Sequence, residues 1–502
     1  MSPREGADAA APDGAPAAAA GTTGAAGATG AAGATGAAGA AGATGTAAAS
    51  GSTGTTRTVS RTPHRRVAIA PRRWPWWVQV LAVYAAARLV TALILLVVSR
   101  WQEANLWTDA APSYTAWTGR MWDASWYQQI AENGYPAELP VGPDGTVRQN
   151  VWAFYPLFPF LVRAVQQVTG LGWDLVAPTI ALLCGAGAVL VIHRLVERAG
   201  HRAVARRPGL PLATVALVSV FPSSVVLQVA YTEALALLLI ASALYLLWAR
   251  RYEWAGLVIL LLGFTRAVAL PLALVVAWHA VVRLQEWRRT RRAGAPATSG
   301  GPPGDHVPGA LGAGPAVGAA PADVADPAPT HGPVPWWDVA RIGALLVVAV
   351  LSGLLWQVVC GLVTGRSDAY FLTQAAWRGT GPVVPFLPWL DISRALFSGA
   401  GPWVLAVVLA GVAALGLSPV ARRLGPELQA WPLAYLGYLV AVIEPWTSIV
   451  RFLLLAFPLA AVTIGWTRSR WWFWGCVAAG VAGQAWWIWS LWRLTPPSGW
   501  PP

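Results

Sequence analysis

The chain of 502 residues contains no lysine, so all 35 of its basic residues are arginine. Charge of either sign is scarce: 11% of residues carry it, where soluble domains carry roughly 25%. That scarcity excludes an ordinary water-soluble enzyme. Against 22 acids the arginines leave a formal +13. A nucleic-acid binder would gather that charge on a soluble face. Here the arginines stand in short clusters beside long apolar runs, as in a polytopic membrane protein, and no nucleic-acid partner is expected. Cysteine is nearly absent. Cys184, Cys360 and Cys476 all lie inside apolar runs, which excludes a disulfide framework and a thiolate metal cluster. No Gly-rich phosphate loop is evident. The N-terminal tract lacks aromatic residues and almost all branched aliphatic ones, so it cannot offset chain entropy by burial. Residues 1–70 are therefore predicted to be a disordered tail; without a charged start and an apolar core they do not read as a signal peptide. The Gly-, Pro- and Ala-rich stretch 293–334 is predicted to be a flexible linker.

What is present is apolar: 56% of the residues are hydrophobic. A span needs about 20 mostly apolar residues. Candidates lie near 76–99, 174–194, 210–229, 231–249, 254–283, 337–361, 402–420, 428–444, 449–467 and 471–492. The fold class expected is an all-α polytopic membrane protein of about nine full spans, with an N-terminal module (71–292) and a C-terminal one (335–502). Arg61, Arg65, Arg66, Arg72 and Arg73 precede the first span and place the N-terminus in the cytoplasm of a plasma-membrane protein. The loop 100–173 is then outside, with interfacial helices, and the stretch 152–165 is interfacial or re-entrant rather than a span. Arginines at both ends of 254–283 ask for the cytoplasmic side. With Gly263, Arg266 and Pro271 near its middle, that segment reads as two half-length helices that enter and return, the alternative being one long tilted helix.

In the first outer loop, Met121 to Tyr135 reads as an amphipathic helix. Trp122, Trp126, Tyr127 and Ile130 share one arc, Ser125, Gln128, Gln129 and Glu132 the other, and Gly134 is the stop. Such a helix suits the membrane surface. Asp123 falls inside the apolar arc, where a carboxylate loses water unless a cation compensates, and misplaced charge of this kind marks function; the plainer alternative is a helix-starting Asp. Glu233 follows an outer turn and faces the same side, or else serves the helix start beside a capping Thr232. Arg451, Arg266 and Arg378 stand apart from the cytoplasmic clusters. Their guanidiniums suit phosphate recognition on a lipid, against the alternative of snorkelling to ordinary headgroups. His64, His193, His201, His279, His306 and His331 fall on the other side or in the linker, so neither zinc hydrolysis nor a Ser-His-Asp arrangement is expected with these acids.

The run Trp122-Asp123-x-x-Trp126-Tyr127-x-x-Ile130-Ala131-x-x-Gly134-Tyr135 resembles the first-loop motif of the PIG-V-like mannosyltransferases, relatives of the enzyme that adds the second mannose of GPI anchors. Phe154 to Pro159, Phe221-Pro222-Ser223 leading to Tyr231-Thr232-Glu233, Thr265-Arg266, and Arg451 with Pro458 follow in the family's order. The resemblance implies a GT-C helical bundle with an outer-face active site, a polyprenyl-phosphate sugar donor, and a lipid or glycan acceptor. It implies Asp123 as general base, Arg451, Arg266 and Arg378 at the donor phosphate, and Trp122, Trp126, Tyr127, Tyr135, Tyr231 and Glu233 around sugar or acceptor. No cofactor is required, since the donor carries its own leaving group, though Asp123 and Glu233 leave room for a divalent metal. The chain departs from the family in its tail, its linker and Trp126-Tyr127, where eukaryotic members commonly show a histidine and an aromatic, so acceptor identity does not carry over. The rival readings are a transporter or flippase for a lipid-linked sugar and a non-catalytic scaffold. A cysteine introduced within 293–334 is expected to resist membrane-impermeant thiol reagents in intact cells; labelling there would overturn the topology.

Overall fold

A computed structural model describes residues 74–293, 336–378 and 384–495; the tail over 1–70 and all but the first residue of the linker over 293–334 lie outside them. The described chain is helical, with an isolated bridge between Val141 and Val147. The first helices are α1 (Trp76–Val98), α2 (Tyr114–Arg120), α3 (Asp123–Asn133), α4 (Leu157–Thr169) and α5 (Trp173–Ala199). Next come α6 (His201–Arg206), α7 (Leu210–Ser219), α8 (Glu233–Trp248), α9 (Tyr252–Gly263) and α10 (Leu270–Ala293). Beyond the linker follow α11 (Trp336–Thr364), α12 (Ala369–Arg378), α13 (Leu387–Phe397), α14 (Gly401–Gly416) and α15 (Pro419–Arg423). The chain closes with α16 (Pro426–Val442), α17 (Ile449–Leu453), α18 (Pro458–Gly465) and α19 (Arg470–Trp487).

Among the described residues, four helical stretches are long and apolar enough to cross a membrane: Trp76–Trp101, Trp173–Ala199, Trp336–Thr364 and Leu387–Arg423. Leu89 and Leu93 on α1, and Val347 and Leu351 on α11, point away from the protein, an arrangement suited to hydrocarbon rather than water. Two of the other expected spans are interrupted, whereas 231–249, 428–444 and 471–492 each hold one helix, α8, α16 and α19. The apolar run 210–229 stops as a helix at Ser219 and turns through a short 3₁₀ segment, Ser224–Leu227, before α8 begins at Glu233. The run 449–467 is interrupted at Leu454–Ala456, with Pro458 opening α18. Proline lacks the N–H a continuing helix needs, and Ser and Thr side chains compete for backbone groups, so hydropathy alone overstated these helices.

The segment 254–283 breaks between Gly263 and Leu270. Tyr252 at the start of α9 meets His279 well inside α10, hydroxyl to Nε2 at 3.3 Å. The chain therefore runs out and comes back, and a single tilted helix is excluded. The 12 residues of α9 rise about 18 Å, well short of a hydrocarbon core of roughly 30 Å, whereas α10, with 24 residues, is longer than the half-length helix expected. Its bend is covered by protein: the Leu157 N–H that opens α4 donates to the Phe264 carbonyl at 2.9 Å, so two helix ends satisfy each other. The 13-residue α4 is likewise too short to span.

α9 and α11 approach closely at Gly263, where an added Cβ would lie 2.5 Å from the Ser352 carbonyl oxygen. Gly263→Ala is expected to cost about 1–3 kcal/mol by overpacking and to lower the thermal midpoint of the detergent-solubilised protein. Gly343→Ala, at a helix position with nothing within 4 Å of the new methyl, should show no loss.

Candidate functional site

The first outer loop turns sharply into α3. Helix formation begins at Asp123 and not at Met121, and Trp122 stands outside it with φ 57° and ψ −127°, a conformation that favours glycine. The surroundings hold Trp122 there: its indole N–H donates to the Trp492 carbonyl at 2.8 Å, and its ring lies 5.2 Å from that of Trp107. The Asp123 backbone N–H then donates to the Tyr231 hydroxyl at 3.3 Å. α3 ends at Gly134, as its sequence predicts, with φ 76°. Its apolar arc differs from expectation in what it faces. Ala124, Tyr127, Ile130 and Ala131 are buried in protein, with Tyr127 edge-on to Phe154 and Phe158, so this face docks on the bundle and not on lipid headgroups. Gln129 and Glu132 are exposed.

The turn at Trp122 delivers Asp123 into a cluster of four charges drawn from distant parts of the chain. Arg451 Nη1 donates to Asp123 Oδ2 at 2.5 Å and stands 3.6 Å from Glu233 Oε1. Arg266 Nη1, from the α9–α10 bend, lies 2.8 Å from the same Glu233 oxygen and donates to the Thr232 hydroxyl at 3.0 Å. Tyr127 and Thr232 share a hydroxyl hydrogen bond of 3.2 Å. Aromatic rings enclose the cations: Arg451 sits over Tyr231 and Phe452, and Arg266 over Phe452. The Glu233 side chain is fully buried, whereas that of Asp123 is 21% exposed and marks the open side of the cluster.

Both carboxylates sit on the first residue of a helix, Asp123 on α3 and Glu233 on α8. The helix-start readings are thus right about position, yet neither acid has been left to serve a helix end alone. Thr232, at the N-cap of α8, makes no capping bond; its hydroxyl is used by Arg266 and Tyr127. The formal charges of the four side chains cancel, and each carboxylate sits where a helix N-terminus adds partial positive charge.

Several side chains fix this arrangement from outside. Tyr435 and Trp431 of α16 donate to the carbonyls of Phe452 (3.0 Å) and Leu455 (2.8 Å), holding the interrupted segment that carries Arg451. Ser223 donates to the Val450 carbonyl at 2.9 Å and ties the α7–α8 turn to it. Arg88, the one charge of α1, is buried and donates to the Ser224 carbonyl (2.5 Å), the Ser224 hydroxyl (3.0 Å) and the Ser219 carbonyl, so it completes the broken end of α7. The sequence reading missed Arg88 although a lone charge inside an apolar span was the available signal. It also missed Trp492, which meets Tyr231 at 5.4 Å and for which the sequence offers no signal.

Of the expected site residues, Asp123, Glu233, Arg451, Arg266, Tyr127 and Tyr231 come together, with Trp122 at the turn. Trp126 stacks flat on Phe154, ring centroids 5.9 Å apart, and meets Trp377 edge-on at 5.0 Å, beside the cluster. Tyr135 instead joins Trp152 and Trp356 and donates to the Phe154 carbonyl at 3.0 Å. Arg378 has Glu444 as its partner, at 3.9 Å, and makes no contact with the four-charge cluster among the described residues. His193 stacks on Trp76, and His279 pairs with Glu427 at 2.6 Å, away from these acids. Among the described residues no group of three or more His, Cys, Asp and Glu converges.

Replacing Arg451 with glutamine is expected to destabilise the fold by about 3–5 kcal/mol, because it strands Asp123 and half-strands Glu233 in a buried setting. Adding Glu233→Gln should recover part of that loss, read by thermal unfolding as a double-mutant cycle.

No family model matches this chain, and no curated relative matches it. Among solved structures it is similar to the Archaeoglobus fulgidus oligosaccharyltransferase, crystallised in complex with zinc and sulfate, with 13% identity and a TM-score of 0.29. The match covers 80% of this chain and 48% of that one, so the chain spans about half the length of that protein.

Proposed function

We propose that this protein is a membrane glycosyltransferase of the GT-C class that moves a mannosyl residue from a polyprenyl-phosphate donor to a lipid or glycan acceptor, on the extracytoplasmic face of the plasma membrane. The single observation that carries the reading is the direct pairing of Asp123 with Arg451 at 2.5 Å. The motif singled out Asp123 as a base and Arg451 as a phosphate partner, 328 residues apart, and the two touch.

The proposed chemistry uses that contact. A donor phosphate entering the cluster competes with Asp123 for the Arg451 guanidinium, which binds phosphate through two parallel donors. Engagement of the phosphate relieves Asp123 of its partner and leaves the carboxylate free to accept a proton. The acceptor hydroxyl oxygen attacks the anomeric carbon from the face opposite the phosphate, with inversion. The bond from that carbon to the phosphate oxygen breaks, its electron pair leaves with the phosphate, and the hydroxyl proton passes to Asp123. Arg451 and Arg266 stabilise the charge that grows on the leaving group, while Glu233 fixes both guanidiniums in place. Trp126 and Trp377 offer ring faces for a sugar or isoprenoid beside the cluster. On this reading no cofactor is needed, because guanidiniums supply the positive charge that a metal would.

The rival reading, a transporter or flippase for a lipid-linked sugar, draws support from the interrupted helices around the charges, since broken helices line transport sites. Chemistry separates the two. With polyprenyl-phosphate-mannose as donor and detergent-solubilised protein, Asp123→Asn is expected to lower kcat by about 10²–10⁴-fold with a much smaller change in KM. Unchanged mannosyl transfer by a well-folded Asp123→Ala protein would remove the catalytic assignment, and the absence of any transfer by the parent protein would favour the transporter.

A further inference from the structure

α7 and α18 pack against each other, and the connections before α7 and after α18 lie at a basic end of the molecule. There, three connections surround a cavity of about 330 Å³. Its lining includes Arg206 from the end of α6, Arg207 just beyond it, Arg423 from the end of α15, and Trp466, Thr467 and Arg468 from between α18 and α19. Among the described residues no carboxylate lines it.

Two of the four guanidiniums are fixed by backbone. Arg468 donates from Nε (3.0 Å) and Nη2 (2.6 Å) to the Arg206 carbonyl, and Arg207 Nη1 donates to the carbonyls of Ile464 and Thr467. The rest of each fork is uncommitted among the described residues, where Arg206 and Arg423 also form no ion pair. Burial pushes the Arg207 guanidinium below its ordinary pKa. Orienting a membrane protein requires only that arginines be numerous near the ends of its spans. It does not require that four of them, from three connections, ring one concavity, or that two be held rigid by carbonyls. Like charges gathered this way repel unless an anion sits among them. Trp466, exposed at the rim, is the residue type that settles at headgroup level.

We infer that this cavity is a second anion site, distinct from the Asp123–Arg451 cluster, that binds a phosphate group and thereby clamps the α6–α7, α15 and α18–α19 connections together. Two sources carry that chemistry: the headgroup of an anionic phospholipid, which basic pockets at membrane faces bind, and free phosphate.

The test uses the full chain in detergent, with thermal unfolding followed during titration by phosphatidylglycerol, by phosphatidylcholine as the zwitterionic control, and by inorganic pyrophosphate. The expected result is a saturable rise in midpoint with phosphatidylglycerol and none with phosphatidylcholine. A matching rise with pyrophosphate would assign the site to free phosphate instead of a headgroup, with the site itself upheld. The double variant Arg206→Gln/Arg423→Gln removes two charges that hold no backbone and relieves repulsion in the empty site, so its midpoint without ligand should not fall below the parent's. Its affinity for the anion should fall by about tenfold or more. No saturable response to either anion would overturn the inference, as would an undiminished response in the double variant, which would place binding elsewhere. Neither outcome depends on sugar transfer, so failure here and failure of the glycosyltransferase reading are separately visible.

Discussion

Two acids and two arginines, taken from four separate segments and brought within hydrogen-bonding or ion-pair distance, set the constraint on which the rest of this molecule depends. A charge taken out of water is expensive unless its partner is in place, and removing one partner leaves the other stranded. The cluster therefore requires that the turn before α3, the start of α8, the α9–α10 bend and the interrupted α17–α18 segment all arrive at one point. None of these can slip by a residue without unpairing a buried ion.

That convergence explains why so many helices stop short. A continuous helix buries its backbone polar groups by itself, but it can present only side chains at a site. Four charges with their aromatic enclosure need helix ends, and helix ends expose backbone groups that hydrocarbon cannot satisfy. The molecule answers with paired repairs. Arg88 takes the carbonyls at the end of α7, Phe264 accepts from the start of α4, and Trp431 and Tyr435 take the carbonyls of the segment beyond Arg451. The Arg88 repair joins residues 136 apart in the chain, so that interruption is stable only in the assembled bundle.

The positive φ at Trp122 belongs to the same logic. A large aromatic residue in a glycine conformation costs of order 1–3 kcal/mol, and the indole is held there by the Trp492 carbonyl and the Trp107 ring. Relaxing that turn would swing Asp123 away from Arg451. The strain sits one residue from the carboxylate on which the proposed chemistry rests, and the aromatic enclosure continues outward through Trp126, Phe154 and Trp377.

Composition and hydropathy, which are properties of local stretches, determined that the chain is helical and lives in a membrane, where the long helices lie, and that α3 is amphipathic with its stop at Gly134. The motif around Asp123 and the isolated arginines also singled out most members of the charged cluster, because charge in an apolar setting is visible without knowing the fold. Which acid meets which arginine was not legible, since Asp123 and Arg451 are brought together only by packing of helices far apart in sequence. For the same reason the sequence put Arg378 and Tyr135 in a group they do not join, assigned lipid to an α3 face that protein covers, and ran helices through turns that Arg88 and α16 stabilise from a distance. Periodicity records how a segment partitions between apolar and polar surroundings; only tertiary structure decides whether the apolar side is lipid or protein, and where a buried charge finds its partner.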